Sequence, residues 1–150
     1  EDPGSSRITL SARGAPGGEP VACSVDVGRL IQEAEAHPGV GGPGTGACSG
    51  DLLLGALAAC AQLTCQMVAA SMGIDARSIE VVAEGDLDLR GTLGVSPEAK
   101  VGFEDIRLRF EIDAPDAAPS ELESLKEKTE RYCTVLQTLL EPPPVRTELE

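Results

Sequence analysis

The sequence predicts an α+β domain. Two observations carry that: segments of strict polar–apolar alternation on either side of a long uncharged run, and a terminal segment whose apolar residues recur at helical spacing. The chain has 150 residues, enough for one domain that buries about two-thirds of its unfolded surface. Lys and Arg number 12 against 25 Asp and Glu, a formal net charge of −13. Such a balance offers no cations to displace counterions from a nucleic-acid backbone, and it disfavours an anionic membrane surface. Phe103, Phe110 and Tyr132 are the only aromatics. Base stacking is therefore not expected, and the core must be aliphatic.

The first element is read as a hairpin: a strand over residues 7–13, a turn over Gly14–Pro20, and a return strand Val21–Val27 with Val21, Cys23, Val25 and Val27 on one face. Residues 28–36 are read as a short helix stopped at His37-Pro38, and Gly39–Ala47 as a Gly/Pro-rich loop. From Leu52 to Ile74 no charged residue occurs. That length invites a membrane span, but Gln62, Thr64, Gln66 and Ser71 interrupt it, and no Lys or Arg flanks it closely. The segment is read instead as a helix buried on nearly all sides, capped by Ser49, with Asp51 at the positive end of its dipole and Gly73 closing it. One chain of this size has too little mass to surround such a helix, which predicts a dimer with this helix at or near the subunit interface.

Two half-buried strands follow. Ile79–Leu89 carries Ile79, Val81, Ala83, Leu87 and Leu89 inward, and Phe103–Asp113 carries Ile106, Leu108, Phe110 and Ile112 inward. Their charges form a wet outer face. The link 90–101 is read as a loop. The last element opens on a capping box, Ser120-Glu-Leu-Glu123, and ends at Pro142–Pro144. Its apolar stripe changes from Leu122 and Leu125 to Val135, Leu136, Leu139 and Leu140, which leaves open one helix over 120–140 or two broken near Tyr132-Cys133.

Five cysteines, Cys23, Cys48, Cys60, Cys65 and Cys133, make an odd and sparse set, which predicts reduced thiols in the cytoplasm. No CxxC or HxxxH pair occurs, so no metal site and no cofactor are expected. On one helix, Cys60 and Cys65 would lie about 8.7 Å apart at the Cα atoms, beyond the roughly 7 Å a disulfide tolerates. A partner for Cys60 must come from elsewhere, with Cys133 and Cys23 as candidates. Burial raises a thiol's pKa, and a mid-helix cysteine gains little from its own helix dipole, so an active Cys60 requires a cation from another segment.

The segment Cys48-Ser-Gly-Asp-Leu-Leu-Leu-Gly-Ala-Leu-Ala-Ala-Cys60 resembles the central-helix motif of the OsmC/Ohr family of thiol peroxidases. Glu130-Arg-Tyr-Cys133-Thr-Val-Leu-Gln-Thr-Leu is similar to that family's second-cysteine region, and Val101–Ile112 to its long penultimate strand. The resemblance spans essentially the whole chain, residues 1–150, as a single domain. Residues are expected upstream of the first, which is not Met, and 149–150 read as a cloning remnant. It implies antiparallel sheets wrapped around the central helix in an intertwined homodimer. It also implies that Cys60 attacks a hydroperoxide, organic or hydrogen peroxide, that Cys133 resolves the product to a disulfide, and that a thiol reductant restores both. Gly50 stands where peroxidase members usually carry Glu, with Asp51 adjacent. Arg13 is the match to the family's hairpin arginine, with Arg29 as rival. The competing expectation is a non-enzymatic homodimer of the same fold that binds a small apolar ligand or acts as an interaction domain.

Overall fold

The computed structural model describes residues 12–16, 22–27 and 30–149. They fall into two compact units, one ending at Leu52 and one beginning at Leu53.

The first unit is a three-stranded antiparallel sheet in the order β1 (Ala12–Pro16), β2 (Ala22–Val27), β3 (Leu30–Glu35). The expected hairpin is present, but β1 runs through Gly14–Pro16, where a turn was expected. β1 is an edge strand, the kind of strand in which a proline such as Pro16 is tolerated. The remainder of the expected first strand and turn, residues 7–11 and 17–20, lies outside the described residues, as does Val21. The expected helix over 28–36 is instead β3, paired along β2 from Ala22↔Glu35 to Val27↔Leu30. The open edge of β2 supplies hydrogen-bonding partners at alternate residues, and six residues are too few for helix propensity to compete. A 3-10 turn, Pro38–Val40, then leads into a loop folded around Glu35, whose carboxylate accepts from the Thr45 hydroxyl at 3.0 Å and from the Gly46 N–H.

α1 spans Ser49–Met72. Ser49 is its first helical residue and not its cap. The start is fixed by Asp51, whose Oδ2 accepts from the Cys48 N–H at 2.9 Å. The end follows expectation. Gly73 adopts φ +71°, which other residues rarely do, while its N–H and that of Ile74 donate back to the Ala70 and Ala69 carbonyls.

In the second unit β4 (Ser78–Asp86) and β5 (Asp105–Asp113) pair antiparallel, with Ile79 opposite Ile112 and Val81 opposite Phe110. Along β5, exposed and half-buried residues alternate without a break, as the sequence pattern requires. Arg107 pairs with Asp86 and Asp105, and Arg109 with Glu111, all on the exposed face. β4 stops at Asp86, three residues earlier than the pattern suggests. Asp88 caps α2 (Leu89–Thr92) by accepting from the Arg90 N–H at 2.9 Å. The link after it is folded back on itself: Gly91 is buried, and a side chain there would strike the Lys100 carbonyl.

The C-terminal element is two helices, α3 (Pro119–Tyr132) and α4 (Thr134–Leu140), broken at Cys133. The N-cap of α3 is Ala118, two residues before the expected box. Glu121 reaches back to the Ala118 N–H at 2.8 Å, and Pro119 at the first helical position gives up only a donor the helix would leave unused.

Leu57, Ala61, Val81 and Cys133 form one buried cluster, and Cys65, Ala69 and Leu125 another. By length and composition α1 could cross a membrane. Its middle is tied into this core. The Gln62 amide donates to the Ile79 carbonyl at 2.8 Å and accepts from the Val81 N–H at 2.9 Å, completing backbone groups of β4. Within the single chain only one stripe of α1 is buried, Leu57, Ala61, Cys65 and Ala69, so the expectation of burial on nearly all sides is not met. Leu63 and Met67 on another face are 61% and 73% exposed.

Candidate functional site

Cys60 sits in α1 on a half-buried position packed against the first core cluster, to which Cys133 itself belongs. Its place in the fold follows from the small residues around it: Ala56, Ala59 and Ala61 leave the helix thin enough for neighbouring segments to approach. Cys133 is wholly buried and closes α3 and opens α4 at once, with φ −72° and ψ 105°. Its N–H donates to the Thr129 carbonyl at 2.9 Å, and its carbonyl accepts from the Gln137 N–H at 2.9 Å. That extended residue aims the first N–H groups of α4 toward the helix that carries Cys60.

The two thiols are free and electrostatically unequal. Partial burial opposes ionisation of Cys60, yet the Val135 N–H, the Cys133 thiol, the Thr64 hydroxyl and the Thr134 N–H outweigh it, and the Cys60 pKa falls below the ordinary thiol value. Burial pushes the Cys133 thiol up, and the charge on Cys60 pushes the same way, against the N–H groups of Leu136 and Val135. The first proton to leave the pair therefore leaves Cys60. The arrangement is a thiol whose ionised form is stabilised, held beside a less acidic thiol that can donate to it. The Cys65 thiol is driven up by burial, with Thr129 as its side-chain partner, and takes no part in the pair.

Asp51 is placed as a helix cap, its carboxyl held below the usual range by the Cys48 N–H and thiol. Arg13 lies on β1 with its Cα opposite that of Asp26. Arg29 lies outside the described residues. The sequence predicts a cation to ionise Cys60, whereas the second unit supplies the N–H groups of Val135 and Thr134, the Cys133 thiol and the Thr64 hydroxyl. The visible signal for the two N–H groups was the change of apolar stripe around Tyr132-Cys133, which marks the start of a new helix.

One helical turn beyond Cys60, Thr64, Met67, Val68 and Ser71 form one wall of an open groove of about 530 Å³, closed on the other side by Lys128 and Tyr132 of α3. Thr64 begins it, with its hydroxyl bonded to the Cys60 carbonyl at 2.7 Å.

A family model described as OsmC-like protein matches residues 42–148. The match includes both Cys60 and Cys133 and leaves out the hairpin that carries Arg13. Among solved structures, an OsmC-like protein from Mycoplasma pneumoniae is similar at TM-score 0.76 and 17% identity, over 90% of this chain and 89% of that one. An organic hydroperoxide resistance protein from Legionella pneumophila is similar at TM-score 0.68 and 22% identity, over 89% and 90%. A third, an organic hydroperoxide resistance protein from Elizabethkingia anophelis, is similar at TM-score 0.67 and 20% identity, over 91% of each chain. These likenesses show a shared fold. No curated protein matches the chain in sequence.

Proposed function

This chain belongs to the OsmC-like protein family, and from that premise we propose that it is a thiol-dependent peroxidase that reduces hydroperoxides. The observation that carries the reading is the unequal pair: Cys60 ionises more readily than an ordinary thiol, and Cys133 beside it less readily.

The Cys60 thiolate attacks the terminal peroxide oxygen, the O–O bond breaks, and the departing alkoxide takes a proton to leave as an alcohol. Cys60 is then a sulfenic acid. The Cys133 thiol displaces its hydroxyl as water, forming the Cys60–Cys133 disulfide. An external thiol reductant, such as a lipoyl-type dithiol, returns both to thiols. Organic hydroperoxides suit the site because a groove that begins at Thr64, one helical turn from Cys60, is lined further along by the apolar Val68. The protein acts in the cytoplasm as a homodimer in defence against oxidative stress. Asp51 holds the start of α1.

The test is stoichiometric cumene hydroperoxide followed by mass spectrometry. A Cys60–Cys133 disulfide is expected in the native sequence, dimedone-trappable Cys60 sulfenic acid in Cys133→Ser, and only uncatalysed peroxide loss in Cys60→Ser. Oxidation of another thiol ahead of Cys60 sinks the reading. The groove also supports a second reading, a non-enzymatic homodimer that binds a small apolar ligand. Under that reading function survives Cys60→Ser.

A further inference from the structure

Gln137 has no part in the chemistry above, yet it spans the one break on which the thiol pair depends. Where Cys133 leaves helical geometry, the last carbonyls of α3 lose the N–H groups that a continuous helix would send them. The Glu130 carbonyl is one of these, and the Gln137 Nε2 donates to it at 2.9 Å. Among the described residues this is the only side-chain hydrogen bond that crosses from α3 to α4. The same residue holds Cys133 by its backbone, donating its N–H to the Cys133 carbonyl at 2.9 Å. The contact is partly buried, so water replaces it poorly.

We infer that Gln137 is a positioning residue for Cys133: by tying α4 back to α3 it fixes the elbow that keeps the Cys133 sulfur beside Cys60. The inference rests on reading the two cysteines as a redox pair. Without the clamp, α4 swings about the single bonds of Cys133, and the fraction of time its sulfur can reach Cys60 falls. Capture of an oxidised Cys60 slows in proportion, while the first attack by Cys60 on an external reagent is affected less.

Ellman's reagent separates this geometry from peroxide chemistry. The Cys60 thiolate breaks the reagent's S–S bond and releases one thionitrobenzoate. Cys133, after losing its proton to solvent, attacks the Cys60 sulfur, expels the second thionitrobenzoate and leaves the Cys60–Cys133 disulfide. Mass spectrometry at timed intervals reads conversion of the Cys60 adduct to the disulfide. Gln137→Met, which keeps length without the donor, is expected to slow this second step about five-fold, the worth of one partly buried hydrogen bond. Gln137→Lys restores a donor to the same carbonyl, at a helix end that favours a cation, and is expected to stay within about two-fold of the native rate. A folded Gln137→Met with native conversion overturns the inference. So does a folded Gln137→Lys as slow as five-fold, and that arm decides if the Met variant fails to fold. Should the native protein convert the adduct promptly but leave cumene hydroperoxide untouched, the peroxidase reading fails while the positioning role stands.

Discussion

Whether Cys60 ionises is decided by neighbours that differ in kind. Burial alone would leave it inert, and the groups that reverse the sign are donors: two N–H groups of α4, the Thr64 hydroxyl and the Cys133 thiol. The thiolate is the reactive form, so alkylation by iodoacetamide follows the fraction ionised. Its rate at Cys60 is expected to rise with pH through a midpoint below that of an ordinary thiol, which is near 8.5. Cys65 and Cys133 are shifted the other way and are expected to label later at neutral pH. Cys133→Ala removes one donor to the thiolate, so the midpoint moves up and labelling at pH 7 slows about ten-fold, as loss of a charged hydrogen bond implies. A Cys133→Ala protein that labels at the native rate would show that the buried thiol does not support the charge. Peptide mapping after brief labelling measures all three cysteines together.

The positions of those residues are set by elements, and α1 is held in register by the side chain of Gln62. Its amide meets the Ile79 carbonyl and the Val81 N–H as a third strand would, and Val81 lies in the core. Gln62→Leu keeps the bulk and orphans both backbone groups. The expected loss is about 1–3 kcal/mol in urea unfolding, the cost of stranding partly buried polar atoms. How far such elements can be read from sequence depends on where their determinants lie. β4 and β5 carry theirs in alternation, and α1 in the uncharged run closed by Gly73, so all three are legible. β3 is not, because Leu30–Glu35 is chosen by the open edge of β2 and its local composition points to a helix. The break at Cys133 shows only as a change of apolar stripe. The candidate site is legible to the same degree: the motif around Cys60 and the segment around Cys133 suggest the pair by resemblance. That α4 would direct its first N–H groups at a residue more than seventy positions earlier is a tertiary fact with no local trace.

At the scale of the whole molecule, charge and the exposed face of α1 bear on assembly together. Two copies each carrying −13 repel, so a stable contact requires a surface without charge. The segment Leu52–Ile74 has none, and Leu63 and Met67 stand 61% and 73% exposed on it, with Ala59 and Ala70 beside them. Apolar side chains at that spacing on this uncharged stretch of helix are costly to leave in water, at about 25 cal/mol for each Å². The proposed homodimer would cover them. Leu63→Glu puts a carboxylate into the middle of that face, where burial would leave it unpaired. Light scattering after size exclusion is expected to give the mass of two chains for the native protein and one chain for Leu63→Glu. Added salt, by screening the mutual repulsion, should tighten the native dimer and rescue the variant little, because an unpaired buried charge is not relieved by distant ions. A native protein that runs as one chain at every salt concentration would remove the dimer and leave the α1 face to another partner.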